Sequence, residues 1–164
     1  MNTAVQPRRP VESGVPDPFP YMHPVLRRNY GNWAWHDRMR PGVLHHVSKS
    51  GEEVWTVRAG TQRQMDVFTI RKLCDIGDKF AEGHVRFTTR SNMEFMVSSA
   101  DKVGPLIAAL EAEGFPVGGT GNSVSMISHT QGWLHCDIPG TDASGVVKSL
   151  MDMMHHEFTH EEMP

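Results

Sequence analysis

Two short runs of alternating residues, separated only by Ser91–Asn92, constrain the fold of this chain more than any other feature. Residues 85–90 alternate between the set Val85, Phe87 and Thr89 and the set Arg86, Thr88 and Arg90. Residues 93–97 alternate again, with Met93, Phe95 and Val97 on one side. Because successive side chains of a strand point to opposite faces, the pattern predicts two strands joined in a hairpin.

The segments around this hairpin predict the rest of a small mixed domain. Residues 54–58 are rich in β-branched and aromatic residues, which favours a strand. Asp66 is a plausible N-cap for a helix that ends at Gly83, and the apolar spacing from Val103 predicts a second helix, closed by Gly114. The resulting order, β-α-β-β-α, predicts an α+β, ferredoxin-like split βαβ half-domain, with residues 123–127 as its last strand.

Proline and aromatic residues dominate the N-terminal quarter of the chain. Seven of the 11 prolines lie between Pro7 and Pro41, which argues against helices and central strands there, so regular structure is expected to begin near Glu52. The aromatic content favours an extended arm that wraps either its own domain or, preferably, a second chain. A final helix is expected to start near Thr141 or Asp142. The predicted divisions are an arm over residues 1–48, the half-domain over 49–120 and the start of a further domain over 121–164.

The composition excludes several classes of protein. A net charge of −3 gives no general attraction to nucleic acid, so any anion site must be a local cluster of cations. The sequence contains neither a secretory signal nor an apolar run long enough to cross a membrane, which predicts a soluble, cytoplasmic protein. Its two cysteines do not suggest a disulfide framework.

The most informative candidate for chemistry is the row Arg86, Thr88, Arg90. Two guanidinium groups on one strand face can hold carboxylates or an oxyanion by charge-assisted hydrogen bonds. Alternation by itself favours the plainer interpretation, a solvated strand face with surface arginines. The glycine-rich residues 118–123 permit close approach to a ligand, but their spacing is not that of a dinucleotide fingerprint.

The metal-binding side chains form no recognisable motif on their own. His129, His135 and Cys136 lack zinc spacing, and an iron–sulfur cluster normally takes four thiolates where this chain has only Cys74 and Cys136. Cys74 lies on the apparent apolar stripe of its helix, so the pattern predicts a buried core thiol.

Several motifs, in order, resemble a known family. Arg86-Phe-Thr-Thr-Arg90, followed by Asn92 and Glu94-Phe-Met, resembles the strand signature of sulfite and nitrite reductase half-domains. More specific segments resemble the dissimilatory sulfite reductase beta subunits, over nearly the whole chain from about Ser13. These segments are residues 16–24, 114–123, 129–136 and 142–148.

The resemblance implies an oxidoreductase that reduces sulfite with six electrons, or runs in reverse in sulfur oxidisers. Its cofactors would be siroheme and a [4Fe–4S] cluster joined by a shared cysteine, and residues 121–164 would begin the siroheme-binding domain. The implied partners are a sulfite reductase alpha subunit, in an α2β2 assembly, and a small sulfur-carrier protein with a C-terminal cysteine tail. The N-terminal arm would then clamp onto the alpha subunit.

The resemblance also assigns roles to individual residues. Cys136 matches the first cluster cysteine, and the family's other three lie in a Cys-Cys-x-x-x-Cys segment beyond Pro164, so the chain is expected to be an N-terminal fragment, inactive alone. Related half-domains carry an arginine where this chain has Ser125, which implies that the alpha subunit supplies most substrate-binding cations while Arg90 faces the paired, less active cofactor. The siroheme-contacting residues implied are Arg86, Thr88, Thr89, Arg90, Asn92, His129, Thr130 and Gln131.

An alternative from a different class stays open. A ferredoxin-like half-domain with a basic strand face could bind a tetrapyrrole or another anion without catalysing a reaction. A bound siroheme without redox turnover would favour this non-catalytic module over the reductase.

Overall fold

The computed structural model describes residues 17–162, which form a five-stranded antiparallel sheet with helices on one face and a helical C-terminal segment. The strands are β1 (Trp33–Arg40), β2 (Val43–Ser48), β3 (Glu53–Ala59), β4 (Val85–Phe87) and β5 (Met93–Val97). The α-helices are α1 (Pro24–Arg28), α2 (Val67–Phe80), α3 (Val103–Ala112), α4 (Ala143–Met153) and α5 (His155–His160). None of the helices in this described part is long and apolar enough to cross a membrane.

The sheet has the order β1-β2-β3-β5-β4, and the segment from β3 to α3 follows the predicted β-α-β-β-α order. The predicted hairpin is confirmed, since β4 and β5 pair antiparallel with Arg86 opposite Glu94. Where a ferredoxin-like fold would add a fourth strand beside β3, only an isolated bridge joins Ala59 to Val117. The β1–β2 hairpin extends that edge of the sheet instead.

The main core lies between the sheet and the helices α2 and α3. Val57 and Phe95 on the sheet, and Leu73 and Leu106 on the helices, are completely buried. Asp66 caps α2 as predicted, because its carboxylate accepts a hydrogen bond from the backbone N–H of Thr69 at 2.7 Å. On the opposite face of the sheet, α1 covers one end, where its Val25 packs against Val54 of β3 and Met96 of β5. We call this less covered face the open face.

The prediction that regular structure begins near Glu52 is wrong. The hairpin of β1 and β2 lies ahead of that residue, and α1 begins at Pro24, where a proline's fixed φ suits the first turn of a helix. No proline interrupts residues 25–40, so β1 is free to form its backbone hydrogen bonds as an edge strand. The domain division between residues 48 and 49 stays a prediction, although one sheet contains strands from both sides of it. Residues 1–16 of the proposed arm lie outside the described residues.

Two further predictions from pattern are also wrong. Residues 123–127 form no strand, because the edge of β3 that they would have joined is already paired with β2. Cys74 is exposed rather than buried, because the buried side of α2 is carried by Leu73, Ile76 and Gly77. The predicted stripe was therefore displaced from the buried side of this helix, although Gly77 lies on both.

A buried histidine fastens α1 to the rest of the domain. His23 is 1% exposed; its Nδ1 accepts a hydrogen bond from the N–H of Val25, so its Nε2 carries the proton donated to Glu82 at 3.0 Å. Burial lowers the pKa of His23 even though Glu82 opposes that shift. Burial also disfavours the charge on Glu82, but hydrogen bonds from Lys102 and Ser98 outweigh it and lower the pKa of Glu82 to about 2.

Candidate functional site

A buried glutamate flanked by two arginines forms the centre of the open face. Glu94 on β5 is completely buried, and its Oε2 accepts a hydrogen bond from Nε of Arg58 on β3 at 2.6 Å. Nε of Arg86 on β4 lies 2.6 Å from the other oxygen, Oε1, as an ion pair without the geometry of a hydrogen bond. Antiparallel register places the three residues side by side, since Glu94 is opposite both arginines. Two guanidinium charges therefore face one carboxylate.

A cavity of about 370 Å³ opens beside this ion cluster. It combines an aromatic wall from β1 with polar groups from β2 and β3 and with the Arg86–Glu94 pair. The lining residues are Leu26, Trp33, Ala34, Trp35, His36, His46, Val54, Thr56, Arg86 and Glu94. The size and mixed lining lie within the range of small-molecule pockets.

One histidine of this cavity is held in its neutral form. Burial lowers the pKa of His46 to about 4, although the charge of Glu94 opposes the shift. Nε2 of His46 lies 3.3 Å from the hydroxyl of Thr56, and its ring meets those of Trp33 and His36 at centroid distances of 6.2 and 5.9 Å. At neutral pH, His46 thus adds polarity to the cavity without adding positive charge.

Arg90 does not continue the row begun by Arg86, so the expectation of a single arginine-bearing strand face is wrong. β4 ends at Phe87, and a turn follows in which Ser91 has φ +56° and Asn92 donates its backbone N–H to the hydroxyl of Thr88. This turn redirects Arg90 away from the strand.

The guanidinium of Arg90 binds the glycine-rich loop, residues 118–123. Nη1 donates to the carbonyls of Ser123 at 3.1 Å and Gly119 at 3.5 Å, and Nη2 donates to that of Gly121 at 3.1 Å. None of these acceptors carries a formal charge, so the positive charge of Arg90 remains uncompensated by them. The loop and the arginine thus form one unit at the edge of the open face.

The glycine-rich loop packs too tightly for side chains at several positions. A Cβ on Gly119, whose φ is +71°, would come within 2.3 Å of Cβ of Ser125. The loop is fixed against α5 by hydrogen bonds from the N–H of Gly119 to the carbonyl of Thr159 at 2.9 Å, and from Val124 to Phe158 at 2.7 Å. These contacts hold the loop in one conformation.

The other predicted cofactor-contacting residues lie outside the lining of the cavity. Asn92 is buried in the turn, and Thr89 is exposed. His129, Thr130 and Gln131 lie in an irregular segment, where Arg63 donates to the carbonyl of His129 and the hydroxyl of Ser144 donates to that of Gln131. Their assignment to a cofactor stays a prediction.

Cys136 follows a 3₁₀ turn (Gly132–Leu134) and is exposed to solvent. It is surrounded in sequence by exposed apolar side chains: Trp133 is 66% exposed, Leu134 60% and Ile138 86%. Within residues 17–162, no three histidine, cysteine, aspartate or glutamate side chains converge as a metal site. Cys136 can therefore offer one thiolate, but the other ligands of a cluster are not found in the described residues.

Comparison with known proteins identifies the domain. The family model of the nitrite/sulfite reductase ferredoxin-like half domain matches residues 46–113, which contain β3 to β5, α2 and α3. The chain is 43% identical to the beta subunit of dissimilatory-type sulfite reductase from Megalodesulfovibrio gigas, over 100% of this chain and 67% of that one. The chain belongs to the dissimilatory-type sulfite reductase beta subunit family.

Beta subunits from two further organisms agree with this membership. That of Nitratidesulfovibrio vulgaris is 43% identical over 100% of this chain, and that of Archaeoglobus fulgidus is 45% identical over 87%. The chain covers 46% and 41% of these two relatives, so it spans less than half of their length. The predicted family is confirmed.

A solved structure supports the fold of this beta-subunit family member. The crystal structure of dissimilatory sulfite reductase I superposes with a TM-score of 0.69 at 12% identity, covering 82% of this chain and 35% of that one. The predicted α+β, ferredoxin-like class is confirmed.

Reasoning from sequence missed Glu94, Arg58 and His46 as parts of the site. The alternation that placed Met93, Phe95 and Val97 in the core also placed Glu94 on the open face, so its role was accessible in principle. Pairing of β5 with β3 was needed to bring Arg58 alongside, and that pairing joins residues 36 positions apart. The β1–β2 hairpin, which supplies His46, was not predicted at all.

Proposed function

We propose that this chain is part of a dissimilatory sulfite reductase beta subunit, in which the open face and the glycine-rich loop bind siroheme. The reaction proposed is the six-electron reduction of sulfite to sulfide, or its reverse in a sulfur oxidiser. The reaction would take place in an α2β2 assembly in the cytoplasm. The observation that supports this proposal most strongly is the excess of positive charge on the open face.

The charges on that face can be counted directly. Arg58 and Arg86 carry two positive charges on either side of the buried, negatively charged Glu94. Arg90 adds a third positive charge at the glycine-rich loop. Siroheme has several peripheral carboxylates, and sulfite is itself an oxyanion, so both match a cationic face. The site therefore fits the cofactor by its charge and by its hydrogen-bond donors.

Each side chain has a distinct task in this proposal. Arg86 uses Nε on Glu94, which leaves its terminal nitrogens available for a carboxylate beside the cavity. Arg90 fixes the glycine-rich loop and adds positive potential there. Glu94 orients Arg58 and Arg86 and prevents their mutual repulsion from separating the strands. Thr88 and Asn92 form the turn that aims Arg90 at the loop.

Cys136 is the proposed ligand to a [4Fe–4S] cluster. A cubane takes four cysteine thiolates, so Cys136 would supply one and other segments of the subunit would supply the rest. Its exposed position leaves the sulfur free to bind metal, and the exposed Trp133, Leu134 and Ile138 offer an apolar surface for those segments. When bound, siroheme and the cluster would supply the electron-transfer chemistry.

Two protein partners are proposed with this function. The alpha subunit would cover apolar residues left exposed here, including Tyr21 and Tyr30 of the predicted N-terminal arm. A small sulfur-carrier protein would receive the reduced sulfur through a cysteine on its C-terminal tail. Sulfite is the proposed substrate.

Replacing each of the two exposed cysteines in turn tests this function. The proposed beta subunit that contains this chain would be co-expressed with an alpha subunit as wild type, Cys136→Ser and Cys74→Ser. We expect Cys136→Ser to lose the cluster's electron paramagnetic resonance signal and sulfite-dependent oxidation of a reduced viologen dye. Cys74→Ser should retain both, because that thiol lies on the exposed side of α2. Equal activity in the two variants would contradict the proposal.

A non-catalytic tetrapyrrole- or anion-binding module is the second candidate. The observation that favours it is that residues 17–162 bring together no cluster-binding set of side chains. Siroheme bound in the wild-type assembly without sulfite turnover would support this module against the reductase.

A further inference from the structure

Two histidines on the last helix lie about one helical turn apart. His156 and His160 are both on α5, four residues apart, so their side chains project from the same side of the helix. Their rings are stacked, with centroids 4.6 Å apart and planes 1° from parallel. His156 is exposed and His160 is half-buried, so a solute can reach the pair from solvent.

The sequence around this pair has the form of a metal-binding motif. Residues 156–160 read His-Glu-Phe-Thr-His, which matches the pattern His-Glu-x-x-His, in which two histidines on a helix bind zinc. Reasoning from the adjacent residues His155 and His156 missed this match, because neighbouring residues of a helix point in different directions. The structure supplies the context that the motif requires, since both histidines lie on one helix.

The hydrogen bonds of Thr159 fix the tautomer of His160. Thr159 is 6% exposed, and its hydroxyl donates its one proton to the carbonyl of His155 at 2.7 Å. The same hydroxyl oxygen lies 2.8 Å from Nδ1 of His160, so it accepts a hydrogen bond from that nitrogen. Nδ1 therefore carries the proton of the neutral ring, and Nε2 presents its lone pair. Histidines that bind metals are held in this way, with one ring nitrogen donating to the protein and the other binding the metal.

The glycine-rich loop fixes the backbone that carries the pair. The N–H of Gly119 donates to the carbonyl of Thr159 at 2.9 Å. A Cβ on Gly118 would lie 2.8 Å from Cβ of Thr159, so the loop packs directly against α5. An ion bound to both histidines would join successive turns of this helix and would therefore stabilise the element to which the loop is fixed.

We propose that His156 and His160 form a structural site for a divalent transition-metal ion, with water completing the coordination. Imidazole nitrogen is a favoured ligand of zinc, copper and nickel. Within residues 17–162, no third histidine, cysteine, aspartate or glutamate converges with the pair, so the proposal is limited to metal binding and includes no hydrolytic reaction. The ion clips α5 and, through it, the glycine-rich loop. This site goes beyond the proposed reductase and does not depend on it.

Titration calorimetry of Zn²⁺ into the full chain, stripped of metal, tests the site. Every protein would carry Cys74→Ser and Cys136→Ser, because the two exposed thiols can also bind zinc. Loss of an outer partner of a metal ligand commonly weakens binding by about 10–100-fold, so loss of a ligand itself should cost at least about tenfold in His156→Gln and in His160→Gln. The control His155→Gln removes the neighbouring histidine, which does not face the pair, and should bind like the wild type.

Two further measurements distinguish metal ligation from a general change in the helix. Thr159→Val removes the hydroxyl that fixes the tautomer of His160 and should weaken zinc binding, whereas Thr159→Ser keeps a hydroxyl and should restore it. Zinc should raise the thermal unfolding midpoint of the wild type but not that of His156→Gln, because an ion that binds only the folded chain stabilises it.

Equal zinc binding by the wild type, His156→Gln and His160→Gln would overturn the inference. An equal loss of binding in His155→Gln would also overturn it, as would a zinc-dependent rise in the unfolding midpoint that persists in His156→Gln. None of these results bears on the proposed reductase, whose test measures the cluster signal and sulfite turnover. Loss of that turnover would in turn leave the zinc site unaffected.

Discussion

Replacing Glu94 with glutamine should destabilise the domain more than any change to its exposed partner. The substitution keeps the size of the side chain but removes the carboxylate that lies between Arg58 and Arg86. Arg58 is 18% exposed at its side chain and cannot easily turn to water, whereas Arg86 is 54% exposed and can. The loss of stability should therefore come mainly from the contact between Glu94 and Arg58.

The expected magnitude follows from these exposures. Leaving one partner of a buried ion pair uncompensated costs about 3–5 kcal/mol, and an exposed pair contributes less than about 1 kcal/mol. We expect Glu94→Gln to lower the free energy of unfolding by about 3 kcal/mol, near the low end because the amide can still accept a hydrogen bond. Arg86→Gln, which removes the exposed partner, should lower it by less than about 1 kcal/mol.

Urea denaturation followed by tryptophan fluorescence would measure both values, since the chain contains four tryptophans. The reasoning is refuted if Glu94→Gln costs less than about 1 kcal/mol, or if Arg86→Gln costs as much as Glu94→Gln. Either result would mean that Glu94 does not organise the open face.

Three further outcomes are expected. His46 has a folded pKa of about 4, below its value of 6.5 when unfolded, so its contribution to stability is complete above pH 6.5 and is lost as pH falls towards 4. After allowance for partial exposure, the free energy of unfolding should fall by about 1–2 kcal/mol between pH 6.5 and pH 4. If the stability of His46→Gln fell equally steeply with pH, this assignment would be contradicted. Gly119→Ala should lower the free energy of unfolding by more than about 2 kcal/mol, because its Cβ would collide with Ser125 and its φ is positive. Gly104 lies on α3 with open space around it, so Gly104→Ala should leave that free energy unchanged or raise it. Thermal denaturation would measure both variants. Iodoacetamide should label both Cys74 and Cys136 in the isolated chain but only Cys74 in the assembled enzyme, as read by mass spectrometry, and labelling of Cys136 in the assembly would count against its role as a ligand.

The elements that the sequence predicted correctly are those with strong local signals. The alternation of residues 93–97, the N-cap at Asp66 and the start of the last helix near Thr141 or Asp142 each have a local sequence signal, and each is confirmed. The carboxylate of Asp142 accepts from the N–H of Gly145 at 3.0 Å, as its N-cap position requires. Local patterns determine such features without reference to the rest of the chain.

The features that the sequence did not predict depend on contacts between distant segments. The proline-rich composition obscured β1 and β2. Their stability comes from the pairing of β1 with β2 and of β2 with β3 rather than from their own propensities. Cys74 was placed on the wrong face because α2 leaves Val67 and Phe68 exposed, at 61% and 67%, which displaces the apparent apolar stripe.

The candidate site shows the same division. Alternation predicted Arg86 as a site residue, and Arg86 lies at the cavity. Alternation also predicted Arg90 on the same strand face, but a turn with a positive φ at Ser91 directs it to the glycine-rich loop.

Siroheme content of the assembled enzyme tests the central claim most directly. Under the proposed function, the beta subunit that contains this chain would be purified with an alpha subunit as wild type, Arg86→Gln and Arg71→Gln. Siroheme per beta subunit would then be measured by absorption after extraction. Arg71 is an exposed arginine on α2, away from the open face, and controls for charge. The account predicts reduced siroheme in Arg86→Gln and wild-type content in Arg71→Gln. Equal content in all three proteins would contradict the proposal that the open face binds the cofactor.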